Sequence, residues 1–160
     1  MVRLVPMNES DFHTYLTSSI ADYAQEHVKA GNWSAEEAQQ KAEEEFQQLV
    51  PDGLASKNQY FFTIEDEALP ARVGILWFAV RDQGGQPSAF VYDVEIFAEF
   101  RRRGYGMQAF QALESYVRNL GLTTISLHVF GHNHAARAMY EKLGYITTNV
   151  SMSKTLEKRA

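Results

Sequence analysis

Hydrophobic positions recur at two different spacings along the chain, and the first third of the sequence has the helical spacing. Asn8 is suited to cap a helix whose apolar residues return every three or four positions. Ser34 and Glu37 form a capping box before a second stripe of this kind, which Pro51 ends. The predicted inward residues are Phe12, Leu16, Ile20, Tyr23 and His27 in the first helix and Ala35, Ala38, Ala42, Phe46 and Leu49 in the second.

From Tyr60 onward the sequence contains runs of β-branched and aromatic residues. The runs "YFFTI", "VGILWFAV" and "AFVYDVEIF" predict three strands, because turn-forming segments separate them. A helix is predicted next, ending at Gly121. Its inward residues are Phe110, Leu113, Val117 and Leu120. The remaining segments "TTISLHV", "NHAARAMYEKLG" and "YITTNVSM" predict a strand, a short helix ended by Gly144, and a last strand.

This order of elements predicts one α/β domain over residues 1–160, with helices packed on a mixed sheet. The length of 160 residues fits a single domain, and 45% apolar residues suffice to fill one core. No repeat or linker divides the chain. We therefore expect a compact enzyme or binding domain.

Composition narrows the possible chemistry. The formal net charge of -5 argues against binding to nucleic acid over a broad surface, which needs a basic face. The absence of cysteine excludes disulfides, thiolate metal sites and a cysteine nucleophile. His128, His132 and His134 have no recognised metal-ligand spacing, so we expect no metal. Neither a secretory segment nor a membrane span is visible, which favours a soluble, cytoplasmic protein without a membrane partner.

The stretch "RRRGYG", Arg101 to Gly106, is a local basic patch in an acidic chain. It lies between a predicted strand and a predicted helix, and the first turn of a helix has unpaired N–H groups and a partial positive charge. Gly104 and Gly106 would leave the backbone open to a ligand, so the stretch predicts a phosphate or pyrophosphate site. The alternatives are a helix start with solvated arginines and, less favoured, a nucleic-acid contact.

"RRRGYG" also resembles the Q/R-x-x-G-x-G/A signature of the GNAT superfamily of acyl-CoA-dependent N-acyltransferases. The preceding "YDVEIF" and the downstream "HNHAARAMYEKLGY" resemble the neighbouring GNAT motifs, and the element order is similar over essentially the whole chain. The resemblance implies a GNAT-like fold. In such a fold, a mostly antiparallel mixed sheet of about six strands has helices on both faces.

The resemblance also implies a set of site residues for acetyl-CoA. The backbone of the strand end would bond pantetheine, the signature loop would hold the pyrophosphate through main-chain N–H groups, and Tyr140 would protonate the departing thiolate. Arg101 opens the motif and either contacts the cofactor or braces the turn. The implied cofactor-binding residues are Ile96, Phe97, Ala98, Arg101, Arg102, Arg103, Gly104, Tyr105, Gly106 and Asn133. Without the resemblance to the motif, the spacing of Tyr140 on its helix would predict a core residue.

Acyl transfer to an amine also needs a group that removes a proton, because amines are mostly protonated at neutral pH. Asp93 and Glu95 lie on one face of the predicted strand, where burial would raise the pKa of a carboxyl group, and we predict Glu95 as the base. The alternative is that this face is solvated. The predicted function is acetyl transfer to a primary amine of a small molecule or peptide, by direct attack on the thioester. A non-catalytic acyl-CoA sensor is the alternative, and a homodimer is a possible assembly.

Overall fold

Five strands form one sheet in the computed structural model, which describes residues 1–159. The strands are β1 (Val2–Pro6), β2 (Gln59–Asp66), β3 (Ala71–Gln83), β4 (Gln86–Ile96) and β5 (Ile125–Leu127). The helices are α1 (Glu9–Lys29), α2 (Ala38–Leu49), α3 (Tyr105–Asn119) and α4 (His134–Lys142). The strand order is β1-β2-β3-β4-β5; every neighbouring pair is antiparallel except the parallel pair β4–β5. The predicted mixed sheet is confirmed.

Helices cover both faces of the sheet, and the strand sequences reflect this. Successive side chains of a strand point to opposite faces, so consecutive apolar residues are all buried only where both faces are covered. Phe78 of β3 packs in the core beneath α3, with Phe110 and Leu113 of that helix. Its neighbour Trp77 packs on the other side, with Phe46 of α2. The run "VGILWFAV" is therefore continuously apolar because it lies between two helical layers.

The helix caps agree with the sequence, with one change in a boundary. The Asn8 side chain accepts a hydrogen bond from the Asp11 N–H (2.8 Å) and caps α1. Gly121 and Gly144, with φ of +83° and +94°, follow α3 and α4 as predicted. Helix α2 begins at Ala38, so Ala35 is exposed rather than inward. Residues 35–37 form a turn in which the Glu37 side chain accepts from the Ser34 N–H (3.4 Å).

Two predictions near the ends of elements were wrong. Leu120, expected to face inward, is 40% exposed because α3 ends at Asn119 and the chain turns at Leu120; Leu122 is buried in its place. The last strand, "YITTNVSM", does not form in the described structure, which therefore has five strands and not about six. Those residues lie outside the sheet, whose edge at β5 has no further strand among residues 1–159.

Strand β4 contains a bulge beside the region predicted to be functional. Trp77 of β3 pairs with Asp93, whereas Phe78 pairs with Val91, so Tyr92 is an extra residue on β4. A bulge of this kind shifts the alternation of side chains by one position. Val91 thus packs on the α3 side, while Tyr92 and Asp93 both turn towards α1.

Gly74 lets the end of β4 lie close to β3. It pairs with Ile96, and a Cβ at position 74 would overlap the carbonyl oxygen of Glu95. We expect Gly74→Ala to lower the free energy of unfolding by about 1–3 kcal/mol, because the backbone of β4 must shift to relieve the overlap. The matched control is Gly131→Ala, whose added methyl group meets no atom within 4 Å. Denaturant unfolding of both variants measures the difference, and equal stabilities would contradict the prediction.

Candidate active site

The parallel strands β4 and β5 are paired along only part of their length. The three pairs run from Ala89 with Ile125 to Val91 with Leu127. Beyond Val91, β4 continues to Ile96 with β3 on one side and no strand on the other among residues 1–159. A strand edge without a neighbour leaves backbone N–H and C=O groups free to bond a ligand. The sheet therefore opens into a gap along residues 92–96.

The chain turns sharply where β4 ends, and its own groups brace the turn. Arg101 Nε donates to the Ile96 carbonyl (2.8 Å), and the Phe97 N–H donates to the Val73 carbonyl of β3 (2.8 Å). A short 3₁₀ turn, Ala98–Phe100, lies between these contacts. Arg101 thus braces the turn in this structure. The contacts of Ile96, Phe97 and Ala98 with pantetheine stay a prediction.

The start of α3 has the features of an anion site. Arg102 and Gly104 have left-handed backbone conformations, with φ of +62° and +83°. Gly104 is the N-cap residue and has no side chain to cap the helix, so the first intrahelical bond is from the Gln108 N–H to its carbonyl (3.2 Å). The N–H groups of the first turn are thus left without a capping partner, beside Arg102 and Arg103. Their partial positive charge favours an anion.

The Tyr105 side chain fixes this helix start to the sheet. Its hydroxyl donates a short hydrogen bond to the carboxylate of Asp66, at the end of β2. This bond is the largest single cause of the lowered pKa of Asp66. It is also the largest cause of the raised pKa of Tyr105. The main chain of Tyr105 was predicted to hold pyrophosphate. The side-chain anchor was not foreseen, because 39 residues separate the two partners.

Gly106 brings α3 close to α4. A Cβ at position 106 would lie 2.9 Å from the sulfur of Met139, on α4. In contrast, a Cβ at Gly104 would meet nothing within 4 Å. The two glycines of the signature therefore have different structural roles. Gly104 provides the left-handed conformation, and Gly106 provides space for the neighbouring helix.

The predicted carboxylate pair lies on β4 where the sheet opens. Tyr15 of α1 donates a hydrogen bond from its hydroxyl to Asp93 Oδ2 (2.8 Å). Burial raises the pKa of Asp93 to about 6; the charges of Glu95 and Asp22 add to the rise, and the Tyr15 bond opposes it. Glu95 is half-buried, and its side chain has no hydrogen bond or ion pair within the described residues. The pair therefore consists of one carboxylate anchored by Tyr15 and one carboxylate without a partner within the described residues.

The two residues predicted on α4 are in different surroundings. Tyr140 is half-buried and packs edge-on against Phe110 of α3 (ring centroids 5.5 Å apart). Burial raises the pKa of its hydroxyl, and the charge of Asp93 adds to the rise. Asn133 is the N-cap of α4, and its side chain accepts from the Ala136 N–H (3.3 Å). Asn133 thus has a structural role, and its contact with a cofactor stays a prediction.

The end of α1 contacts the loop that follows β5 through aromatic rings and a charged pair. His27 of α1 stacks on Trp33 (4.0 Å between ring centroids), and Glu26 pairs with His132 beside it (2.5 Å). Glu65 pairs with Arg3 (3.0 Å) where β1 and β2 meet, at the other side of the sheet from β5. The charge of Asp22 raises the pKa of Asp93, so Asp22 lies near the carboxylate pair.

Two findings concern metals and membranes. Within residues 1–159, no three histidine, aspartate or glutamate side chains are grouped so as to hold a metal ion.

No helix in the same range has both the length and the apolar character needed to cross a bilayer.

The fold and the site together define a class of α/β protein. Its mixed sheet opens between two parallel strands, and a helix start without a side-chain cap lies at the end of the opening. A model of the acetyltransferase (GNAT) family matches residues 19–145. YycN of Bacillus subtilis, described as an uncharacterized N-acetyltransferase, is 38% identical over 97% of this chain and 99% of its own length. The chain therefore belongs to the GNAT acetyltransferase family.

Solved structures agree with this assignment. The crystal structure of YycN superposes with a TM-score of 0.92 at 37% identity, covering 99% of this chain and 100% of the other. An aminoglycoside acetyltransferase from an uncultured soil sample, 19% identical, has a TM-score of 0.59 over 98% of this chain and 97% of its own, and shares the fold. A mycothiol acetyltransferase of Propionibacterium freudenreichii is 30% identical over 78% of this chain and 37% of its own length.

Proposed function

We propose that this protein transfers an acetyl group from acetyl-CoA to a primary amine of a small molecule or peptide. The observation that carries the proposal is the gap between β4 and β5, which leads from the carboxylates of β4 to the uncapped start of α3. One opening thus joins a place for a proton acceptor to a place for a phosphate anion. Bound acetyl-CoA would supply a thioester carbonyl that an amine can attack.

The residues at the end of the gap fit the co-substrate. The backbone N–H groups from Arg102 to Gly106 would hold the pyrophosphate, with charge added by Arg102 and Arg103. The backbone of Ile96 to Ala98 would orient the pantetheine arm along the open edge of β4. Asn133 would contact the arm from α4, in addition to capping that helix.

The Asp93–Glu95 pair would remove the proton from the acceptor amine. An amine bound on the α1 side of β4 meets two carboxylates, of which Glu95 has no internal partner and is our candidate base. Asp93 is held by Tyr15 and can share the proton, since its pKa of about 6 is near the working pH. Negative charge at Asp22 and Asp93 also favours a cationic acceptor, and the similarity to a mycothiol acetyltransferase supports a small molecule.

Tyr140 would donate a proton to the departing CoA thiolate. Its raised pKa keeps the hydroxyl protonated at neutral pH, so it can give a proton to the departing sulfur. The resulting phenolate would recover its proton from water.

A panel of primary amines, assayed for release of free CoA, tests the function as a whole. Release with at least one amine is expected. Tight binding of acetyl-CoA without turnover on any amine would favour the alternative, a non-catalytic acyl-CoA sensor.

The phosphate end of the site is tested by two glycines at opposite ends of α3. Gly104 and Gly121 both have a φ of +83°, and an added Cβ at either meets nothing within 4 Å. Gly104→Ala and Gly121→Ala should therefore cost similar stability, about 1–2 kcal/mol. Only Gly104→Ala should weaken binding of acetyl-CoA, by about tenfold or more. Isothermal titration measures the affinity, and equal affinities of the two variants would refute the site.

The proton donor is tested by Tyr140→Phe. We expect kcat to fall about 100-fold or more while the Kd for acetyl-CoA changes little, since only the proton donor is lost. Tyr145→Phe is the matched control, because it removes the buried hydroxyl of the adjacent aromatic residue, which has no hydrogen-bond partner within the described residues. Wild-type turnover in Tyr140→Phe would remove it from the mechanism.

The carboxylate pair is tested by pH dependence. Asp93 must be deprotonated to share the proton that Glu95 removes, so kcat/KM should fall as the pH drops below about 6, the pKa of Asp93. The Tyr15 hydroxyl stabilises the charged carboxylate, and Tyr15→Phe should therefore raise the pKa and move this acid limb to higher pH. Tyr23→Phe, which removes a similar bond to Glu45 (2.6 Å), should leave the limb in place.

An acid limb that stays fixed in Tyr15→Phe would contradict the role of Asp93. Asp93→Asn and Glu95→Gln then identify the proton acceptor. Only the variant that lacks the titrating carboxylate should lose the fall of kcat/KM at acidic pH.

A further inference from the structure

Asp66 is a buried acid (7% exposed) at the end of β2, outside the gap between β4 and β5. Its Oδ1 atom accepts a hydrogen bond from the Ala68 N–H (2.8 Å), and its Oδ2 atom accepts one from the Tyr105 hydroxyl. Its main chain pairs with Val2 of β1 and with Ala71 of β3. The sheet therefore holds the carboxylate from both sides, which makes it a fixed point for a group that bonds to it.

The bond between Asp66 and Tyr105 joins a charged acceptor to a neutral donor. The lowered pKa of Asp66 keeps the carboxylate ionised at neutral pH, and the raised pKa of Tyr105 keeps its hydroxyl protonated. Hydrogen bonds to an ionised acceptor are about twice as strong as bonds between neutral groups. Both side chains are buried, so the bond joins two parts of the interior.

The start of α3 has few other contacts with the sheet. Residues 102–104 are exposed, and their N–H groups have no backbone partner within residues 1–159. Farther along the helix, Phe110 is fully buried and holds the body of α3 in the core. Tyr105 directly follows the N-cap residue Gly104 and is the first buried residue of the helix. The Tyr105 side chain is therefore the contact that ties the first turn to the sheet.

We propose that Asp66 is a positioning residue for the co-substrate, and that it acts through the Tyr105 hydroxyl. The inference rests on the proposed function, since it concerns the pyrophosphate of acetyl-CoA. Strands β2 and β4 both run antiparallel to β3, so Asp66 lies at the end of the sheet where β4 ends at Ile96. The groups of a binding site must be held to within about 0.5 Å of their productive positions. The Asp66–Tyr105 bond thus fixes the direction of the N–H groups that would bind pyrophosphate.

The charge of Asp66 and its positioning role have opposite effects on the binding of an anion. By Coulomb's law alone, removal of a negative charge near an anion site should tighten binding. Loss of the bond should weaken binding, because the first turn of α3 is then free to move. Asp66→Asn removes the charge and leaves one acceptor oxygen for two donors, the Tyr105 hydroxyl and the Ala68 N–H. The sign of its effect therefore separates the two explanations.

Calorimetric titration with CoA tests the positioning role. Tyr105→Phe keeps the buried ring and should raise the Kd for CoA by about tenfold, and Asp66→Asn should also raise it. The double variant should bind no more weakly than Tyr105→Phe, because both substitutions break one bond. Tyr23→Phe is the matched control, since it removes another tyrosine–carboxylate bond, to Glu45 (2.6 Å), and should bind CoA as the wild type does.

Several results of the titration would overturn the proposal. Wild-type or tighter affinity in either single variant would do so, as would losses that add in the double variant. A wild type that does not bind CoA overturns both this role and the proposed function. A wild type that binds CoA but acetylates no amine rejects the proposed function alone, and the titration then still decides the role of Asp66.

A truncated co-substrate separates positioning from general damage to the fold. S-Acetylpantetheine has the thioester but no pyrophosphate. Its kcat/KM should therefore agree within about twofold between the wild type and Tyr105→Phe, whereas kcat/KM for acetyl-CoA should fall. An equal loss with both co-substrates would mean that the bond only supports the fold, and would overturn the proposal.

Discussion

The opening between β4 and β5 is the feature on which the rest of the candidate site depends. Strand β3 holds β4 along its whole length, to Ile96, so β4 stays in the sheet with an unpaired outer edge after β5 leaves it at Val91. The bulge at Tyr92 adds local twist at the same place. A longer β5 would close the opening and consume the backbone groups that an extended ligand needs. The shortness of β5 is therefore a requirement of the site.

Several residues at the site also hold the fold together. Arg101 bonds the Ile96 carbonyl, Tyr105 bonds Asp66, and Asn133 caps α4. Each of these contacts fixes a segment that borders the opening. A loss of activity after substitution at such a residue has two physical causes, lost contact and lost position, and only a parallel measurement of stability separates them.

Asp93 also lowers the free energy of unfolding of the protein at neutral pH. The folded-state pKa of Asp93, about 6, is above the ordinary value, so the folded protein favours the neutral form. The stability associated with this group is therefore highest at low pH and is lost as the pH rises through about 6. The Tyr15 bond reduces that loss, because it stabilises the charged carboxylate. A half-buried acid that destabilises the fold at neutral pH is more easily explained by chemistry than by packing.

The sequence predicted the features that depend on local patterns. The helices, the caps at Asn8 and Gly121, and the face shared by Asp93 and Glu95 follow from the spacing of neighbouring residues. Contacts between distant residues left no such pattern. The Tyr15–Asp93 bond spans 78 positions, and the bulge at Tyr92 is a property of two strands together.

The segment "YITTNVSM" also shows that a local pattern does not predict contacts between distant segments. A helix forms its backbone hydrogen bonds within one segment, so a helical pattern is nearly enough to predict a helix. A strand needs a neighbour to bond, and a strand pattern predicts only that the segment suits a sheet. The alternation in "YITTNVSM" suits a strand, yet these residues do not join the sheet, and the outer edge of β5 stays unpaired among the described residues. A pattern within one segment therefore does not determine whether that segment joins a sheet.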